Sequence, residues 1–200
     1  MKMHNGTPTP HIDGKPVFAG YLWTPRPSVE GYPAAAATEH YAAAGIHLHA
    51  FDVGVGHEWC GPGEGRASDY DFDTVEQRFG HIIEADPEAR FHLRLQLELS
   101  PRELWWHNRH PQEREVDSGG NPTTQSHASP VWRQQANDFL TQFAQHLKDI
   151  GMAERVFAYQ TGAGHTGEWV KGLTSMRTPC GDYSAPMAQH FRLWLEEHYG

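Results

Sequence analysis

The clearest pattern in the chain is FHLRLQLEL at 91–99, where Phe91, Leu93, Leu95, Leu97 and Leu99 alternate with His92, Arg94, Gln96 and Glu98. Strict alternation is the mark of a strand that buries one face. Three further short apolar runs read as strands: PVFAGYLW (16–23), IHLHAFDV (46–53) and RVFAYQTG (155–162). Segments with helical spacing follow each of the four. VEGYPAAAATEHYAAAG (29–45) is rich in Ala and closes on Gly45, a composition that favours a helix and then stops it. In DTVEQRFGHIIEAD (73–86), Val75, Phe79, Ile82 and Ile83 share a face, and Asp73 with Glu76 forms a capping-box pattern. Trp132, Ala136, Phe139, Phe143, Leu147 and Ile150 repeat at the same spacing through 131–150. In 184–200, Ser184 is placed to cap, Pro186 falls in the first turn, and Met187, Phe191, Trp194 and Leu195 are expected to face inward. Residues 54–69 and 100–130 read as long loops.

Strand followed by helix, repeated in this way, implies parallel strands joined by right-handed crossovers. Two architectures fit: an open doubly wound sheet, and the first four βα units of a (β/α)₈ TIM barrel. Central strands of an open parallel sheet are buried on both faces and read as continuous apolar runs. The polar face of 91–99 suits a barrel interior near an active site, with the Leu face under helices; a half-exposed edge strand would give the same alternation. No glycine-rich phosphate loop follows a strand, which weakens a nucleotide-binding reading. A whole barrel needs about 250 residues. The 200 residues are therefore expected to be the N-terminal half of a barrel domain from a longer protein, with associating half-barrels as the other arrangement. Open edges at the first and fourth strands make self-association of the isolated chain an expected outcome.

Composition narrows the partner. A formal charge of −9 disfavours nucleic acid and anionic membrane surfaces. No apolar run approaches the ~20 residues of a spanning helix, and the polar start MKMHNGTPTPHIDGKP lacks the apolar core of a signal peptide. A cytoplasmic location is the expectation if Met1 is the true start. Cys60 and Cys180 form no CxxC pair and no ligand cluster, so free thiols are expected. No cofactor is called for.

Barrel sites are built from the loops that follow the strands. Here those loops carry Trp23 and Arg26, then Asp52, His57, Glu58 and Trp59, then SPRELWWHNRH, and finally GAGHTGEW. Indoles stack on the apolar faces of sugar rings while carboxylates and guanidinium groups bond hydroxyls, so a carbohydrate is the partner this chemistry fits. A pair of carboxyl groups can then cleave a glycosidic bond. Arg94 on the polar strand face has an ion pair with Glu98 as its alternative role. Asp52 has loop capping as its alternative, and Trp105 and Trp106 have core packing. His47 and His49, on one strand face with Asp52 nearby, leave open a metal-dependent barrel hydrolase.

Four stretches resemble the catalytic barrel of clan A glycoside hydrolases, nearest to the family 42 β-galactosidases. HIDGKPVFAGYLW resembles the entry into the first strand. YDFDTVEQRFGHIIEADPEARFHLRLQLELSPRELWWHNRHP resembles a segment with a DF start, an adP turn and a P-x-WW loop. GHTGEW occupies the place of the acid/base loop after the fourth strand, and DYSAPMAQHFRLWLEEHYG resembles the helix that follows. The resemblance implies a retaining β-galactosidase-like hydrolase with Glu168 as general acid/base and the nucleophile on a seventh strand outside this chain. From the loops and the polar strand face, substrate contacts are expected from Trp23, Asp52, Arg94, Trp105, Trp106, His165 and Trp169. The match departs at Gly167, where clan A enzymes usually carry an Asn that bonds the sugar 2-hydroxyl, and Cys180 stands without the Cys cluster of several family 42 enzymes. The departure at Gly167 implies, as the alternative, a catalytically inactive sugar-binding barrel.

Overall fold

The computed structural model describes residues 1–24, 34–63, 68–164, 167–169 and 181–200. Its strands are β1 (Lys2–His4), β2 (Thr7–Thr9), β3 (His11–Ile12), β4 (Lys15–Pro16), β5 (Leu22–Trp23), β6 (Leu48–Gly54), β7 (Arg90–Gln96), β8 (Arg114–Val116), β9 (Pro122–Gln125) and β10 (Val156–Gly162). The helices are α1 (Ala34–Ala43), α2 (Asp73–Ala85), α3 (Leu104–Arg109), α4 (Pro130–Asp149) and α5 (Ala185–Tyr199). They divide between two compact units. One comprises Met1–Val53, Asp73–Leu95 and Leu147–Gln160; the other comprises Gly54–Phe72, Gln96–His146 and Thr161–Gly200.

The first unit is built on a parallel sheet of order β10-β7-β6-β5. Leu22 lies opposite His49 and Trp23 opposite Ala50. Each strand is added beside its predecessor without a reversal. A doubly wound sheet reverses at a switch point, so this sheet is singly wound, as a barrel wall is. The alternation of β7 now has its physical reason. Phe91, Leu93 and Leu95 are buried, and the Phe91 ring meets Phe79 of α2 at 4.8 Å and Phe51 of β6 at 6.0 Å, both edge to face. Arg78 is buried in the same layer, its guanidinium 4.8 Å from the Phe51 ring and donating to the Asp52 carbonyl at 2.7 Å. The opposite face carries His92, set edge-on to Tyr21 at 5.6 Å and tilted against Phe157 at 6.1 Å. Burial, with the nearby Arg94 charge, holds the His92 imidazole below its ordinary value, so it stays neutral on this face.

His47 and His49 lie at the start of this strand layer, and both bond Asp86, at 2.9 Å each. Burial alone would raise the Asp86 carboxyl, but hydrogen bonds from His49 and His47 and from the Glu88 N–H outweigh it and hold it below its ordinary value. A depressed folded-state value means stability that is present above the unfolded value, ~3.9, and lost as pH falls through the folded one. Asp86→Asn is therefore expected to destabilise by about 1–3 kcal/mol near neutrality, with the gap to wild type narrowing below about pH 4. Urea titrations at a series of pH values measure both; a gap that widens on acidification would overturn the assignment.

The second unit packs around α4. Trp132, Ala136, Phe139 and Phe143 are buried; Phe139 stacks on Trp59 at 5.6 Å and on Phe143 at 6.0 Å. Ser129 starts the helix, its Oγ accepting the Trp132 N–H at 3.0 Å and donating to Glu113.

Several expectations are corrected. The first strand of the sheet is confined to Leu22–Trp23, because Pro16 belongs to the β3–β4 hairpin. The segment 100–130 is not a plain loop: it holds α3 and the antiparallel pair β8–β9, whose turn is closed by Asp117 accepting the Gly119 and Asn121 N–H groups. The expected first helix begins at Ala34 among the described residues, and its residues 29–33 lie outside them. In α5 the cap is as expected, Ser184 accepting the Met187 N–H at 3.3 Å. Its apolar residues do not face a core: no residue of α5 is buried, and Phe191 and Trp194 stack on each other while exposed. An apolar stripe shows that a helix has a face to cover. It does not show that this chain supplies the cover.

Candidate active site

In the second unit the chain leaves β10 at Gly162 and turns sharply toward Glu168. A Cβ at Gly162 would lie 2.1 Å from the Gly167 carbonyl oxygen, so only glycine admits this approach. The turn is closed by the Gly164 N–H donating to the Glu168 carbonyl at 2.6 Å and the Gly167 N–H donating to the Gly164 carbonyl at 3.2 Å. Gly167 has φ +77°, in the left-handed region that glycine takes most readily and asparagine next. Glu168 is exposed, as is Trp169, whose indole meets the His127 ring edge-on at 5.7 Å. An exposed carboxyl residue and an exposed indole residue, adjacent in sequence, thus follow the fourth strand of the sheet. His165 and Arg26 lie outside the described residues, as does Cys180.

The other aromatics of this unit are placed differently. Trp106 is fully buried and donates its indole N–H to Gln135 Oε1 at 2.6 Å, so it is a core residue and not a substrate contact. Trp105 is partly buried. Its N–H donates to Glu103 at 3.2 Å, and the Gly61 backbone lies so close that a Cβ there would sit 2.3 Å from the indole. Arg109 covers it further at 5.9 Å from the ring. That leaves Trp105 a packing role first. Trp59 and Glu58, from the loop after β6, are buried as well; Glu58 accepts the Gly54 N–H at 2.8 Å and so closes its own loop.

The first unit brings three of the predicted residues together. Arg94 pairs with Asp52 at 3.1 Å. Its guanidinium also lies 5.6 Å from the ring of Trp23, which is half exposed. An indole face backed by a cation suits the CH face and hydroxyls of a sugar. Asp52 is therefore an ion-pair partner, and the loop-capping role does not apply. His49 of β6 and His47 just before it are both already bonded to Asp86, whereas Asp52, three positions beyond His49 along the strand, points to the other face. The metal-dependent alternative built on these three residues is not supported, since they do not converge. A cavity of about 580 Å³ in this unit opens between His47, Glu88, Arg90 and Asp13 and is lined by none of the expected sugar-contact residues. Its Arg90 is already paired with Asp13 at 2.6 Å.

Among solved structures, the chain is similar to a β-galactosidase from the psychrophilic Marinomonas ef1, with a TM-score of 0.60 and 17% identity. The match covers 90% of this chain and 25% of that one. It is similar to a GH42 β-galactosidase from G. stearothermophilus at a TM-score of 0.55 and 16% identity, covering 89% and 24%. The catalytic domain of β-amylase from Paenibacillus polymyxa matches at 0.59 and 12%, covering 90% and 48%. The fold is that of a partial TIM barrel. The chain spans about a quarter of the length of the β-galactosidases it matches. No protein-family model matches the sequence, and no curated protein matches it. Among the described residues no helix is long and apolar enough to cross a membrane.

Sequence reasoning finds neither the hairpin 114–125 nor His127 just after it, whose ring meets Trp169 in the second unit. The signal was present in DSGGN at 117–121, a turn sequence between two short runs of extended residues.

Proposed function

We propose that the protein carrying this chain is a retaining glycoside hydrolase acting on β-linked sugars, with β-galactosides as the first class to test. The observation that supports it is the exposed Glu168 beside the exposed Trp169, directly after the fourth strand of a glycoside hydrolase barrel fold. Glu168 would protonate the leaving oxygen and then activate water, in the manner of the first carboxyl group of a retaining pair. The second carboxyl group would come from a later strand of the intact protein. In the first unit, Trp23 and Arg94 have the chemistry to contact a sugar ring and its hydroxyls, with Asp52 holding the guanidinium in place.

Intact protein offered chromogenic β-galactosides and other β-glycosides should release the aglycone, and NMR of the first-formed sugar should show the β-anomer. Absence of turnover on every β-glycoside would sink the hydrolase reading.

A second reading, a sugar-binding barrel without turnover, is favoured by one observation: Gly167 has no side chain to bond the 2-hydroxyl. Asn tolerates the φ of +77° found there. In an inactive but sugar-binding protein, Gly167→Asn is the substitution that should first restore measurable hydrolysis.

A further inference from the structure

Gln125 is fully buried at the end of β9, where an apolar side chain would avoid the cost of desolvating an amide. It makes two bonds to main chain. Its Oε1 accepts the Leu99 N–H at 2.8 Å, and its Nε2 donates to the Ala163 carbonyl at 3.1 Å. His127, two residues on, donates from Nε2 to that same carbonyl at 3.0 Å. A carbonyl can only accept, so the His127 proton is on Nε2, and both lone pairs of the Ala163 oxygen are engaged.

The other side of that peptide plane is the Gly164 N–H, the group that donates to the Glu168 carbonyl at 2.6 Å. Because the peptide is planar, any rotation that frees the Ala163 oxygen also turns the Gly164 N–H away from Glu168. His127 touches the same loop again, edge-on to the Trp169 indole at 5.7 Å. Its own segment is anchored: Ser126 donates to Asp182, and Arg114 donates to the Thr123 and Pro122 carbonyls. The chain of contacts therefore runs from a braced hairpin, through one peptide, to the carboxylate-bearing residue.

We propose that Gln125 and His127 are positioning residues for Glu168 and Trp169. Their effect on turnover rests on the hydrolase reading above; their effect on the loop does not. Acid/base groups must be held to about half an ångström, and a loop reaches that only with outside support.

The test uses the intact protein with Gln125→Met, His127→Phe and His127→Gln. The first two remove a donor to the Ala163 oxygen while keeping bulk, and the third returns one. Amide exchange at Gly164 and Gly167 should rise at least about tenfold in the first two while the strand amides of 48–53 keep their protection, and His127→Gln should restore most of it. Unchanged exchange at Gly164 and Gly167 in His127→Phe would overturn the proposal, and that variant decides if Gln125→Met fails to fold. With an active protein, kcat for a poor-leaving-group glycoside should fall by about 100-fold in His127→Phe with little change in KM, and less for a good leaving group. An equal fall for both leaving groups would also overturn it. If the wild-type protein hydrolyses nothing, the hydrolase reading fails while the exchange result still decides the positioning.

Discussion

Glu168→Gln in the intact protein is expected to lower kcat for an alkyl β-galactoside by about 10²–10⁴-fold, the usual contribution of a general acid. The argument lies in the leaving group. An alkoxide leaves only if it is protonated as the bond breaks, so loss of the acid falls fully on this step. A nitrophenolate leaves without that help, and its release should be nearly spared. On the hydrolase reading, the second step, attack of water on the glycosyl-enzyme, also draws on Glu168 as base. With the activated substrate the variant should therefore accumulate the intermediate, giving a burst and a lowered KM. Added azide, which needs no base, should then rescue turnover. Glutamine keeps the shape of the side chain and the Glu168 backbone bond from Gly164 is untouched, so the loop should stay in place. Activity within a few-fold of wild type on the alkyl substrate would remove Glu168 from the mechanism.

How far the sequence could lead is visible residue by residue. The order of strands and the face of β7 were legible because each depends on a periodicity that local chemistry enforces. Phe91, Leu93, Leu95, Leu97 and Leu99 are all buried, and the sheet winds in one direction. Two short hairpins at the N-terminus leave only a turn signal in the sequence. Asn5-Gly6 and Asp13-Gly14 take positive φ values of 49°, 79°, 51° and 78°, as the two-residue turns of tight hairpins require. Their flanking strands are too short to show alternation.

The choice between core and site for Trp106 was illegible for a different reason. Adjacent indoles look alike in sequence, and only tertiary packing decides that Trp106 reaches Gln135 while Trp105 lies against Gly61. Arg94 is the same kind of case. Its partner Asp52 comes from 42 positions earlier and is found only once β6 and β7 lie side by side. Charge pairs between strands leave no periodic trace.

Phe91→Ala tests the frame on which these placements stand, and it is expected to lower the unfolding free energy by about 3–5 kcal/mol. The residue is completely buried and its ring is packed edge to face against both Phe79 and Phe51. Truncation removes two aromatic contacts and leaves a void between α2 and the sheet that the flanking rings fill only in part. Phe91→Leu retains most of the volume and should cost distinctly less. Denaturant titration of the two variants separates the cavity from a general intolerance of change at this position. The result bears on the site because side chains in a strand alternate. If Phe91 points into the helical layer, Arg94 points to the opposite face, where it is found against Asp52 and Trp23. A Phe91→Ala protein within about 1 kcal/mol of wild type would mean that β7 is turned the other way, and Arg94 would then lie beneath the helices, out of reach of any sugar.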